Sequence, residues 1–332
     1  MKYGFSMIVR GDYAAPATFD AIAERAEALD IDALWASDHL VMPPFRVSRY
    51  PGRADGRLPD DWKRTYYQPF GVLGYLAGRT TKIRLGTSVL ILPMRNPLEV
   101  AAQVAELDQL SGGRINFGVG VGWYSEEFAA LGYAFNDRGK RTDDGLTIVR
   151  KLWSEDKATH QGPYYSFEEA EMGPKPVQEP HPPIYIGGNS PAAIRRTARF
   201  ADAWHPFKIT PEVLSEQRPV LEAALRDAGR SADGFTVAPK IALTFQDGPP
   251  GDGQAPSEGR PQDIIDTLRR FQDAGATEFC FDIMTETLPV VLDTMERLHR
   301  KFGTRFERIV RPFMARSRPY QFDYRLSMSF QS

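Results

Sequence analysis

The chain has 332 residues, 42% of them hydrophobic and 25% charged, with 41 Lys and Arg against 43 Asp and Glu, the make-up of an ordinary globular protein. Charge this near balance, with no basic stripe before the C-terminal tail, excludes a nucleic-acid footprint. The single cysteine, Cys280, excludes an internal disulfide framework, and no Cys and His cluster stands at zinc-ligand spacing. The apolar stretch at the N-terminus is broken at Arg10, and no apolar run approaches the ~20 residues of a membrane span. A cytoplasmic protein with neither membrane nor nucleic acid as partner is expected.

Short runs rich in Val, Ile, Phe and Trp alternate with segments of helical period, the pattern of strand–helix–strand units. The first strand is predicted over 3–8, and the helix after it places Phe19, Ile22, Ala23, Ala26 and Leu29 on one face. Strands two and three are predicted over 33–37 and 83–90, with a helix over 70–78 between them. Asn96-Pro97-Leu98-Glu99 reads as an N-cap, a proline at the first helical position and a capping-box glutamate. The stop is Ser111-Gly112-Gly113. Strand four is predicted over 115–119, followed by helical stretches over 125–131 and 141–153. Residues 157–182, rich in Pro and Tyr, read as an inserted hairpin or long loop whose best strand is 164–167. Strands five to eight are predicted over 184–186, 203–205, 237–245 and 279–283.

Eight such units give an α/β fold, a (β/α)8 TIM barrel with insertions at the C-terminal face. The long irregular stretches 41–68 and 246–260 both follow strands, which puts them over that face as lids. A doubly wound open sheet is the rival, but it needs a crevice at a strand-order reversal and usually has fewer units. One domain is expected over 1–302, with a C-terminal extension over 303–332 that either wraps the pocket or a neighbouring subunit or is a loosely ordered terminus.

Five places carry residues suited to chemistry. Gly118-Val119-Gly120-Val121-Gly122-Trp123 is not a dinucleotide fingerprint, because Trp123 stands where the last glycine belongs. Its glycines serve either a tight strand exit or close approach of backbone to a flat or phosphorylated ligand. Ile186-Gly187-Gly188-Asn189-Ser190-Pro191 joins strand five to a helix start, where free amides and the helix dipole favour a phosphate, although a plain turn uses the same residues. Asp38-His39 ends strand two, and an imidazole there either exchanges protons near neutral pH or is a structural group stacked or hydrogen-bonded at the barrel rim. His205 ends strand six in a similar place. The lid after His39 mixes Phe45, Trp62, Tyr66 and Tyr67 with Arg46, Arg49, Arg53 and Arg57, which suits either an anionic or aromatic ligand or a solvated loop whose aromatics pack on the barrel. Metal chemistry is poorly supported, with only His39, Asp38, His205 and Asp282 to draw on and no His-x-His pair, so no metal site is expected; a metal-dependent hydrolase or lyase on the same barrel is the rival from another class.

The ordered set Trp35-Ala36-Ser37-Asp38-His39, Leu85-Gly86-Thr87-Ser88-Val89, Asn96-Pro97, Leu110-Ser111-Gly112-Gly113-Arg114, the glycine run to Trp123, Pro174-Lys175-Pro176 with Pro182-Pro183-Ile184, and Ile186-Gly187-Gly188 resembles the luciferase-like oxidoreductase superfamily. The likeness is strongest to its deazaflavin-dependent members and runs over about residues 1–300. It implies a barrel that holds a flavin or deazaflavin ring at its C-terminal mouth, with His39 at the reactive face as proton donor or acceptor and Asp38 helping to place the ring. By the same likeness Ser88-Val89 forms a bulge with a non-prolyl cis peptide behind the ring. Gly120, Gly122 and Trp123 border the ring or its tail, and Gly187, Gly188 and Asn189 hold the phosphate. Trp35, Trp62, Trp123 and His205 are expected around the substrate.

Trp123 stands where the superfamily's sugar-phosphate dehydrogenases carry a catalytic glutamate, so a small, mainly apolar substrate is expected instead. Cys280, on the last strand, does not match the reactive cysteine of the luciferases, and light emission is not expected. The implied activity is transfer of a hydride to or from that substrate with coenzyme F420. The alternative is an FMN-dependent two-component monooxygenase. A second copy of the chain, as a homodimer, and a separate cofactor-reducing enzyme are the implied partners.

Overall fold

The computed structural model describes residues 1–43, 47–51, 55–57, 66–251, 254–255, 257–283 and 287–302. Trp62 and the extension 303–332 lie outside the described residues. Among those described, eight parallel strands form one curled sheet. They are β1 (Lys2–Ser6), β2 (Ala33–Ala36), β3 (Arg84–Thr87), β4 (Ile115–Gly120), β5 (Ile184–Gly187), β6 (Ala203–His205), β7 in two pieces (Thr236–Val237 and Lys240–Ala242) and β8 (Glu278–Asp282). Between and around them run α1 (Pro16–Ala28), α2 (Pro69–Ala77), α3 (Pro97–Ser111), α4 (Ser125–Ala130), α5 (Arg138–Ser154), α6 (Pro191–Phe200), α7 (Pro211–Asp227), α8 (Pro261–Asp273) and α9 (Leu288–Phe302). Helices α1, α2, α3, α6, α7 and α8 each open on a proline, whose missing N–H and fixed φ suit the first helical position. No described helix is long and apolar enough to cross a membrane.

Each strand pairs in parallel with the next, as in Gly4 with Ala33, Leu34 with Leu85, Phe117 with Ile184 and Tyr185 with Ala203. Closure runs through β7. Its first piece lies beside β6, its second beside β8, and β8 returns to β1. The break falls at Ala238-Pro239, because proline has no N–H to give to a ladder. The Pro239 carbonyl still accepts the Cys280 N–H at 3.1 Å, so the two pieces act as one stave.

Alternation along the strands sorts the side chains. Phe5, Leu34, Leu85, Phe117, Trp204, Phe279 and Phe281 face outward into one buried cluster with helix residues such as Ile22, Leu73, Val104, Ile148 and Leu268. The inward positions carry mostly smaller residues, Ala33, Ala203, Ala238 and Cys280, around Trp35 and Tyr185. The small residues leave open space inside the barrel.

Helix α3 starts and stops as its sequence predicts. Asn96 accepts the Leu98 N–H at 3.0 Å, and Gly112 closes the helix at φ 67°. Three strands differ from expectation. The predicted strand 83–90 stops at Thr87, where the Ser88–Val89 peptide is cis, and pairing resumes only at Leu90–Ile91, beside β4. The predicted strand 237–245 breaks at Pro239, and its end, Thr244–Phe245, pairs instead with Glu258–Gly259 in the lid. The insertion is a hairpin of Ala158–Gln161 with Ser166–Ala170, so Tyr164 and Tyr165 lie in its turn rather than in its strand.

Candidate active site

At the C-terminal ends of the strands the chain encloses a cavity of about 260 Å³, the end of the barrel at which enzymes of this architecture work. Its arrangement starts from the turn out of β3. The Ser88–Val89 peptide is cis, and the Val89 side chain lies over the backbone of β4 and β5 at Gly120 and Gly187. A Cβ at Gly120 would stand 2.4 Å from Val89 Cγ2, and one at Gly187 would stand 3.1 Å from Cγ1. Gly122, at φ 77°, would bring a Cβ to 2.8 Å from both Ile91 and Phe128. The glycines therefore make room for protein atoms first, and the cavity takes the smooth backbone face that results.

Two buried carboxylates hold the other rim. Asp38 is fully buried, accepts the Ile91 N–H at 2.9 Å and pairs with Arg95 at 2.5 Å. It thus ties the end of β2 to the far side of the bulge. Arg95 also donates to Gln68 Oε1 at 3.1 Å, and Gln68 Nε2 donates to the His39 carbonyl at 2.6 Å. Glu127, on α4, is fully buried as well. Its Oε1 accepts the N–H groups of Leu40 and Val41, and its Oε2 lies 2.7 Å from His39 Nδ1. The His39 ring stands edge-on to Tyr66, Trp123 and Tyr124 at 5.3, 5.7 and 6.3 Å between centroids. It is an imidazole gripped on one nitrogen and walled by aromatics, with the other nitrogen left for the cavity.

Helix α4 and the residue before it also fasten the lid. Glu126 accepts the N–H groups of Val47 and Ser48, Ser125 Oγ lies 2.8 Å from Ser48 Oγ, and Tyr124 Oη donates to the Pro43 carbonyl. Burial alone would raise the Glu126 pKa, but the hydrogen bonds from Ser48 and Val47 outweigh it and hold the carboxyl at about 2. Trp123 stacks flat on Tyr124 at 5.0 Å and leans on Tyr50 of the lid at 5.3 Å.

Across the cavity, β7 and β8 bring Lys240 and Asp282 to 3.4 Å. Burial works against the charge on Asp282, but Lys240 and Arg10 hold its carboxyl below the usual carboxylate range. Tyr66 shares a 2.6 Å hydrogen bond with Ser37. Its phenol is pushed up to about 12 by burial, so it stays protonated. Among the described residues no group of three or more His, Cys, Asp or Glu stands close enough to hold a metal ion.

His205 lines the cavity, yet both its nitrogens are engaged. Nδ1 lies 2.6 Å from the Ala238 carbonyl and Nε2 lies 2.8 Å from Ser88 Oγ. A carbonyl can only accept, so Nδ1 carries the proton and Nε2 accepts the Ser88 hydroxyl. Burial, followed by the nearby Lys240 charge, lowers its pKa to about 3. His205 is a neutral fastener of the bulge rather than an acid. Trp35 stacks beneath it at 5.3 Å and faces a separate cavity of about 310 Å³ at the N-terminal end of the barrel, away from the mouth.

Asp38, His39, Ser88, Val89, Gly120, Gly122, Trp123, Gly187, Gly188 and His205 all come together around the one cavity, as their positions in the sequence predict. Asn189 does not reach it with its side chain, which is spent on the Phe207 N–H and carbonyl, and Ser190 caps α6 in its stead. Glu127, Arg10 and Lys240 were not legible as site residues. Glu127 reads as an ordinary first-turn acid of a short helix, and its only sequence signal is its place four residues past Trp123.

Two outcomes follow from this geometry. Gly120→Ala lowers stability by about 1–3 kcal/mol in urea unfolding, and the same change in a Val89→Ala background costs at least about 1 kcal/mol less. Equal costs would show that the glycine does not serve Val89. His205 has a folded pKa of about 3 against an ordinary 6.5, so as pH falls through this window only the unfolded chain takes the proton and stability drops. The wild type then loses up to about 1.4 kcal/mol per pH unit more than His205→Gln. Identical slopes for the two proteins would count against a buried neutral imidazole.

A family model described as luciferase-like monooxygenase matches residues 3–249. The F420-dependent glucose-6-phosphate dehydrogenase of Microbacterium testaceum (strain StLB037) is 33% identical over 226 residues, which cover 66% of this chain and 62% of that protein. Among solved structures, an F420-dependent secondary alcohol dehydrogenase in complex with an F420–acetone adduct superposes with a TM-score of 0.73 at 21% identity, over 90% of this chain and 98% of that one. The oxygenating constituent of 3,6-diketocamphane monooxygenase, a type II Baeyer–Villiger enzyme from the CAM plasmid of Pseudomonas putida in complex with FMN, superposes with a TM-score of 0.69 at 16% identity, over 91% and 97%. At those identities the two structures speak for the fold alone. With a family model running from β1 past β7 and a barrel mouth organised around Ser88-Val89 and His39, this chain belongs to the luciferase-like oxidoreductase family.

Proposed function

We propose that the protein is a coenzyme F420-dependent oxidoreductase that moves a hydride to or from a small, mainly apolar substrate. The observation that carries this reading is the His39–Glu127 pair, a buried and oriented imidazole opening onto the bulge and its glycine-backed wall. The 33% identity to a relative named as F420-dependent supports the deazaflavin over other rings.

The residues present fit such a group. A flat ring needs a smooth wall, and Val89 with Gly120 and Gly122 provides one from which side chains are excluded by contact. An anionic tail needs amides and cations. Gly187 and Gly188 stand before α6, and Arg10 and Lys240 line the same cavity. In this reading Ser88, Val89, Gly120, Gly122 and Trp123 hold the ring, and Gly187, Gly188 and the Asn189 backbone hold the phosphate. Asp38 acts at one remove, by fixing the bulge through Ile91. Bound there, the deazaflavin supplies two-electron hydride chemistry.

The chain's own part is placement and the proton. His39 Nε2 takes or gives the proton that accompanies the hydride, while Glu127 balances the charge on the imidazolium. The indole of Trp123 and the ring of Tyr50 pack together as a largely apolar wall of the cavity, and no acid stands at position 123 to serve a sugar hydroxyl. The family likeness further supports a cytoplasmic homodimer supplied by a separate cofactor-reducing enzyme.

The test is a pair of equilibrium titrations of the cofactor-stripped protein, with F420 and with FMN, read by ligand fluorescence. Tighter binding of F420 is expected. Preference for FMN moves the reading to an oxygen-dependent monooxygenase, and binding of neither ends it. His39→Ala keeps cofactor affinity and lowers turnover by roughly 10²–10⁴-fold; unchanged turnover removes His39 from the chemistry.

A further inference from the structure

The structure assigns Glu127 as the positioning residue that decides which nitrogen of His39 does the work. The inference deepens the reading of His39 as the proton-handling group and rests on it. Glu127 Oε1 lies 2.6 Å from the Leu40 nitrogen and 3.2 Å from that of Val41, so this oxygen is committed to two N–H donors. Oε2 is left facing His39 Nδ1 at 2.7 Å. A carboxylate only accepts hydrogen bonds, so the neutral ring must carry its proton on Nδ1. Nε2, the nitrogen toward the cavity, is then a lone-pair acceptor until it takes a proton.

The arrangement is built to hold. Glu127 is fully buried and His39 nearly so, and an unpaired carboxylate there would be costly. The His39 carbonyl is tied by Gln68 Nε2 at 2.6 Å, which fixes the backbone that carries the ring. Tyr66, Trp123 and Tyr124 pack against the ring in T-shaped contacts. Among the described residues, Asp38, which pairs with Arg95, and Arg10 line the same cavity as His39. None of these supplies an acceptor for Nδ1 in place of Glu127.

Glu127→Gln is a sharp variant because the two amide donors of Leu40 and Val41 continue to require an oxygen. The glutamine NH₂ must then face His39, Nδ1 must accept, and the ring proton moves to Nε2. The nitrogen facing the cavity becomes a donor and loses its capacity as a base.

The experiment is a long-range 15N–1H correlation spectrum of protein labelled at its five histidines, with no ligand added and at a pH where the rings are neutral, His39 being assigned from His39→Gln. The wild type is expected to show His39 protonated on Nδ1, and E127Q to show it on Nε2, with turnover down by roughly 10²–10⁴-fold and KM little changed. A wild-type ring protonated on Nε2, or an E127Q ring still protonated on Nδ1, overturns the assignment. Should E127Q fail to fold in urea-unfolding controls, the wild-type spectrum decides alone. Because the spectrum needs neither cofactor nor substrate, a protein that binds neither F420 nor FMN refutes the proposed activity and leaves the tautomer to be judged separately.

Discussion

The side chain of Val89 cannot share space with side chains at positions 120 and 187, and the mouth of the barrel is arranged around that exclusion. Where β3 ends, the chain must leave the cylinder wall, turn inward at Ser88–Val89 and rejoin the ladder beside β4 at Leu90. Everything in contact with the turn answers to it. Glycine stands on the two facing strands, His205 accepts the Ser88 hydroxyl from below, and Asp38 accepts the Ile91 N–H from the side. The close packing of protein interiors makes such a turn an all-or-none feature, because its neighbours have no slack to take up.

The site residues divide by what holds them. The bulge and its glycines are held by sterics, while His39 is held by the buried Glu127 and the lid by the half-buried Glu126, each of which accepts two backbone amides. Using backbone N–H groups has a physical merit. A carboxylate bound to amides is solvated by dipoles that are already fixed, so its partners need not be ordered anew when a ligand enters. His205 completes the contrast, being kept neutral by burial and used only as a hydrogen-bonding strut.

Much of the fold was legible because its signals are local. The alternation of strand and helix, the prolines that open the helices and the Asn96 cap can each be read within a few residues. The break in β7 was less so, although Pro239 stood in plain view, since the apolar run around it outweighs a single missing donor. At the site, Asp38, His39 and the glycine turns declare themselves by lying just past strands. Glu127 does not, because its meaning depends on a contact 88 positions away, and a glutamate in the first turn of a helix is commonplace. The use of the glycines was half legible. Their need for bare backbone could be read, but not that Val89 was the reason.

Helix α4 carries one further consequence. Its two adjacent glutamates reach in opposite senses, Glu127 inward to the His39 ring and Glu126 outward to the backbone of Val47 and Ser48. Tyr124, just before the helix, is bonded to the carbonyl of Pro43 in the same loop. One short helix therefore anchors both the loop and the imidazole, and a displacement of α4 that breaks one set of bonds strains the other.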